Sequence, residues 1–160
     1  MPAEATPEPD LPAIRALRRF RLIFNTVKTH FQQVEKKAGV GGAQLWALSI
    51  VQSAPGVGVG ALAAAMDIHQ STASNLVRVL SERGLVVISK QGVDRRKVQL
   101  HLLPAGARVL RRAPGPFTGV LPQALAALDA RALARLDQSL GELISALGVD
   151  DRSQNIPLGQ

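Results

Sequence analysis

The chain has 160 residues, 46% of them hydrophobic and only 3% aromatic, with a formal net charge of +7. This length suits one domain that buries a core without staples. The absence of cysteine excludes disulfide frameworks, thiolate nucleophiles and Cys-ligated zinc.

Residues 1–10 are acidic and rich in proline, which predicts a mobile tail. From Leu11 to Ala38 the apolar residues Leu17, Phe20, Phe24, Val27, Phe31 and Val34 alternate three and four apart, one stripe of a long amphipathic helix. Gly39, Gly41 and Gly42 are expected to stop it. A more buried helix is expected over 44–53, ended by Pro55-Gly56, and a short Ala-rich helix over 59–66. A tight turn at Asp67-Ile68-His69 leads into a helix over 70–83. There Ala73, Leu76, Val77 and Leu80 should face inward and Gln70, Ser71, Ser74, Asn75 and Arg78 outward.

Gly84 reads as the cap of that helix. Residues 85–89 form a β-branched run and residues 98–102 alternate with period two, so 92–97 is the loop of a hairpin. Pro104 sits where a helix start tolerates a missing N–H. Pro114-Gly115-Pro116 breaks that helix, which resumes over 117–128. Asp129 caps a last helix in which Leu133, Leu136, Leu140, Leu143 and Leu147 form a stripe, and 149–160 is a second tail.

A short polar helix, a glycine stop, a strand, a basic turn and a second strand make a winged helix-turn-helix. The expected fold is mainly α with a small β-hairpin wing. Within one domain over 11–148, the winged lobe spans 43–103, and dimerisation helices span 11–38 and 105–147. The charge agrees with a DNA-binding lobe. Residues 70–112 hold nine Lys and Arg against two acids, Glu82 and Asp94, while the rest of the chain balances at ten of each. Gln70 and Asn75 have the geometry to pair with adenine, Ser71 and Ser74 to bond a base or phosphate, and Arg78 to reach guanine or phosphate. Lys90 and Lys97 suit backbone contacts, and Arg95 and Arg96 lie at the wing tip.

The terminal stripes need partners. Leu17, Leu133, Leu136, Leu140, Leu143 and Leu147 are expected at the interface of a homodimer, with an up-down bundle within one chain as the alternative. The stretch Gly56-Val57-Gly58-Val59-Gly60-Ala61 fits G-x-G-x-x-A, but no βαβ unit follows, and a flexible turn is the expectation. His30, His69 and His101 lack metal spacing, and no G-x-S-x-G occurs. No enzyme activity, metal or cofactor is expected. No charged leader precedes an apolar stretch and no apolar run reaches 18 residues, so a soluble cytoplasmic protein without membrane contact is expected.

The chain resembles the MarR family of bacterial transcriptional regulators from about Arg15 to Leu147. The resemblance rests on Leu62-Ala63, Ser71-Thr72-Ala73-Ser74, Leu80-Ser81-Glu82-Arg83-Gly84-Leu85-Val86, Asp94-Arg95-Arg96 and Leu102-Leu103-Pro104-Ala105-Gly106. Leu103 stands where the family usually has Thr, and His69 where a Ser or Asp cap is commoner. The resemblance implies a double-stranded DNA operator, pseudo-palindromic for a dimer. It also implies that Arg96 enters the minor groove, with Asp94 orienting the wing through a neighbouring Arg. Repression, relieved by a small aromatic or anionic molecule, is the family's habit. Phe24, Phe31 and Trp46 are then candidates to line its pocket, or equally core residues. A winged helix kept for protein–protein contact, with vestigial DNA binding, is the alternative function.

Overall fold

The computed structural model describes residues 11–90 and 97–148. The elements are α1 (Pro12–Ala38), α2 (Gly42–Ser53), α3 (Val59–Met66), α4 (Gln70–Glu82), β1 (Val86–Ser89), β2 (Gln99–Leu102), α5 (Pro104–Arg112), α6 (Val120–Ala126) and α7 (Ala130–Leu147). The protein is mainly helical with a two-stranded antiparallel wing, as expected. The expected tails and the wing tip with Asp94, Arg95 and Arg96 lie outside the described residues.

The core belongs to the central lobe. Its buried apolar side chains run from Val34 at the end of α1 to Leu110 in α5, with Leu45, Leu48, Leu62, Leu80 and Leu100 essentially sealed from solvent. The α1 stripe is therefore only partly covered by its own chain. Val34 is buried, whereas Leu17 is 49% and Phe24 66% exposed. No residue of α6 or α7 is buried apart from the glycine that caps α6.

Local chemistry explains most of the boundaries. The α3–α4 turn is closed by Asp67 in the left-handed region, φ 52°, a conformation that Asp tolerates better than most residues. The amides of Asp67 and Ile68 donate to Ala64 O and Ala63 O, which satisfies the last carbonyls of α3. The end of α4 repeats the device. Gly84, at φ +66°, donates to Ser81 O, and Leu85 donates to Leu80 O. Neither His69 before α4 nor Leu103 before α5 makes a side-chain cap, and Pro104 opens α5 instead. Asp129 does cap α7, accepting from the Ala132 amide at 2.8 Å.

Three boundaries differ from expectation. First, α2 starts at Gly42 rather than 44. A Cβ on Gly42 would overlap the Phe31 ring, so this glycine admits the close approach of α1 and α2 and is no mere stop. Second, α6 begins at Val120 rather than 117, because Gly119 at φ +96° breaks the helical path. Third, the glycine segment is not only a turn. Val57 bridges Leu100 antiparallel, with Gly56 N–H donating to Leu100 O at 2.8 Å and Leu100 N–H to Val57 O at 2.9 Å. A single antiparallel bridge therefore covers β2 on the side away from β1, where Val86 pairs with Leu102 and Ser89 with Gln99.

Gly106 fixes how α5 meets the wing. A Cβ there would collide with the Leu85 carbonyl and the Leu102 side chain, and the Leu103 amide donates to that same carbonyl at 3.0 Å. Gly106→Ala is expected to cost about 2–3 kcal/mol through overpacking against backbone. Gly60→Ala has the opposite sign: the site is open and helical, so about 0.5–1 kcal/mol is gained. Paired denaturant melts check both signs.

Candidate nucleic-acid interface

Helix α4 has two faces. Ala73, Leu76, Val77 and Leu80 are buried in the core, while Gln70, Ser71, Ser74, Asn75 and Arg78 are all exposed. Both sets match the periodicity of the sequence. The buried face packs against α3 and the start of the wing, so it holds the polar face outward in one rotational setting.

The exposed residues do not share one environment. Gln70 and Ser74 look across a cleft of about 510 Å³ to Lys97 and Gln99 at the wing root, with Gly56, Gly58 and Gly60 along its floor. Ser74 also lines a second cleft, about 410 Å³, with Arg78, Glu82 and Lys90. Asn75 lies on the other flank of α4, in a groove of about 450 Å³ with Glu35, Gln44 and Arg83. Gln70, Ser74 and Arg78 are thus brought together with the lysines that flank the wing tip, whereas Asn75 lies apart and Ser71 lines none of these clefts. Groups able to read base edges stand next to cations able to hold phosphate. Arg78 is engaged: its Nη1 donates to Glu82 Oε1 at 2.8 Å.

The basic segment is not one surface. Arg83 donates from Nη1 to Gln44 Oε1 at 2.9 Å and from Nη2 to the Gly39 carbonyl at 2.6 Å. It ties the end of α4 to the end of α1 and the first turn of α2. A guanidinium on the last carbonyls of a helix also complements the helix dipole. Arg111 and Arg112 occupy the last turn of α5. The strut formed by Arg83 was not foreseen, because its partners lie 39 and 44 residues away.

Of the aromatic candidates, Phe31 and Trp46 meet at a cavity of about 80 Å³ with Val27, Gly42 and the 118–122 segment. Phe24 is not among its lining residues; it stacks on Phe20 at 6.4 Å and is mostly exposed. Sites for drug-sized ligands run to roughly 300–1,000 Å³, so an aromatic acid would not fit this cavity unless it opened. Along the expected interface, Leu17, Leu133, Leu143 and Leu147 are exposed, with Leu147 at 67%, and Leu136 and Leu140 are half-buried. Among the described residues no group of three His, Cys, Asp or Glu could hold a metal. No described helix is long and apolar enough to cross a membrane.

The fold and part of the sequence pattern recur in known proteins. The sequence model of the MarR family matches residues 38–97, from the end of α1 through α4 to the wing. A Thauera aromatica protein, proposed as a transcriptional regulatory protein for the hcr operon, is 36% identical over 101 residues. That match takes in 62% of this chain and 56% of the relative, so it spans little more than half of the relative's length. Among solved structures, a MepR-like protein complexed with pseudoligands aligns with a TM-score of 0.58 at 19% identity, covering 89% of this chain and 100% of the other. The Staphylococcus aureus MepR–DNA complex aligns at 0.55 and 20% identity, covering 81% and 96%. BldR from Sulfolobus solfataricus aligns at 0.53 and 20%, covering 84% and 95%. At these identities the likeness to the solved structures is one of fold.

Removing the Arg83 strut separates support from recognition. Arg83→Ala is expected to lower stability by about 1 kcal/mol and to leave the preferred DNA sequence unchanged. Arg83→Lys should not restore the loss, because an ammonium lacks the fork that spans both acceptors. Denaturant melts and sequence selection on the same variants check this.

Proposed function

We propose that the chain is a member of the MarR family of transcription regulators, a reading supported by the match of the family model to residues 38–97 and by the fold. From that premise we propose that it is a homodimeric, sequence-specific regulator that binds double-stranded DNA. The observation that carries this is the exposed polar face of α4 set beside the wing lysines. In this reading Gln70, Ser71, Ser74, Asn75 and Arg78 meet base edges in the major groove. Lys90 and Lys97 hold the backbone, and Arg96, beside Arg95 on the wing that Asp94 orients, enters the minor groove. The structural neighbour MepR has been solved in complex with DNA, which supports the assignment without transferring its contacts.

Repression relieved by a small aromatic or anionic molecule is part of the same proposal. The Phe31–Trp46 cavity is its candidate site, and an effector would act by favouring a state in which that cavity is open. The MepR-like neighbour was solved with pseudoligands.

Binding is expected to weaken steeply with salt, with a log–log slope steeper than about −4 for the dimer. A slope near zero would favour the protein–protein alternative. Asn75→Ala should relax base preference at particular positions by roughly 1–3 kcal/mol, whereas Lys90→Ala should weaken all sequences alike and flatten the slope by about 1. Uniform loss in both variants would reverse the assignment of reader and anchor.

Assembly follows from the bare apolar faces of α1 and α7, which are too exposed for an isolated chain. A two-fold dimer through Leu17, Leu133, Leu136, Leu140, Leu143 and Leu147 would set its recognition helices about 34 Å apart, with half-sites about 10 base pairs apart. Leu140→Asp would place a charge in that seam. The expected product in sedimentation is a folded monomer without specific binding; wild type that is monomeric at micromolar concentration contradicts the dimer.

A further inference from the structure

Glu82 is the one acidic residue of α4. It continues the exposed stripe that runs through Ser71, Asn75 and Arg78, at spacings of four, three and four. A carboxylate on a surface meant for phosphates opposes binding, so its presence there calls for a physical reason. Stability does not supply one. The Arg78–Glu82 pair is 61% and 60% exposed, and exposed i,i+4 pairs contribute little in water. Position is more telling. Arg78, Glu82 and Lys90 line one cleft between α4 and the wing sheet, so the acid shares it with the proposed reader of bases and the proposed anchor for phosphate.

Resting on the DNA-binding reading above, we propose that Glu82 is a specificity-determining residue that makes Arg78 selective for a G·C pair. Held by Glu82, the guanidinium is withheld from indiscriminate phosphate contact. At a G·C pair, guanine O6 and N7 offer Arg78 two acceptors, while the cytosine amino group offers Glu82 a donor. Both members of the ion pair then exchange one partner for another, and neither charge is left uncompensated. At an A·T pair no base offers Arg78 two adjacent acceptors, and along the backbone Glu82 loses its partner and faces phosphate alone. Discrimination of this kind works by penalising the wrong complex rather than by tightening the right one.

The test compares wild type, Glu82→Gln, Arg78→Ala and the double variant, all as the full chain. The probes are a duplex selected by wild type from a random library and a random-sequence duplex of equal length. Glu82→Gln is expected to melt like wild type and to bind random duplex on the order of tenfold more tightly at low salt. Its salt slope should be steeper by about one per subunit. Its ratio of selected to random affinity should fall by about tenfold, the lower end of what one base contact discriminates. Reselection should lose a G·C preference at one position in each half-site. In the Arg78→Ala background, Glu82→Gln should no longer change that ratio.

Equal tightening on both duplexes, with the ratio intact, would overturn the proposal and reduce Glu82 to a repulsive charge. No change on either duplex would also overturn it, leaving a solvated surface pair. Wild type without salt-dependent binding to any duplex would remove the DNA reading itself and this assignment with it.

Discussion

The seating of α4 governs the rest of the molecule. Its inner face, Ala73, Leu76, Val77 and Leu80, is buried, and burying side chains of this size contributes roughly 1.5–3 kcal/mol for each Val or Leu. Rotating the helix by one residue position would replace these contacts with Ser74, Thr72 or Arg78, polar groups that the core could not satisfy. The helix therefore has one rotational setting, and the outward direction of Gln70, Ser71, Ser74, Asn75 and Arg78 follows from it. The direction of the polar face is an outcome of packing before it is a matter of polar chemistry.

Fixing a helix at both ends requires more than a greasy face. The Asp67 turn sets its entry and the Gly84–Leu85 turn its exit. From there the chain passes directly into β1, so wing and helix share a junction of only a few residues. Gly106 lets α5 lie against the Leu85 carbonyl at that junction, and the bridge from Val57 to Leu100 ties the other edge of the sheet. Arg83 adds a tie from the same junction to α1 and α2. The lobe is consistently braced, and apart from Val87 and Ile88 of β1 most of the apolar surface left bare among the described residues lies outside it, on α1 and α7.

Much of this was legible in the sequence because helices repeat every 3.6 residues. The inward and outward sets of α4 follow from that period alone, and so does the stripe of α7. What stayed hidden has a common cause: contacts between distant residues. Periodicity groups Phe24 with Phe31, but cannot tell that Phe31 is half-buried against Gly42 while Phe24 is exposed. The single bridge at Val57 is too short to show a period of two. Gly42 looked like a helix stop because its purpose, room for the Phe31 ring, lies in another helix. Arg83 counted as one cation among nine, although its hydrogen bonds make it a brace. Composition located the charge, and only the fold could divide it between DNA face and scaffold.

The account makes the DNA face a property of one rigid lobe, with α7 apart from it. Amide resonances of the protein followed during titration with duplex DNA test this most directly. Shifts and exchange protection should concentrate at residues 70–78, at Lys90 and at Lys97, with little change along 133–147. Perturbation centred on α7 or on the exposed half of α1, with α4 unaffected, would contradict the account.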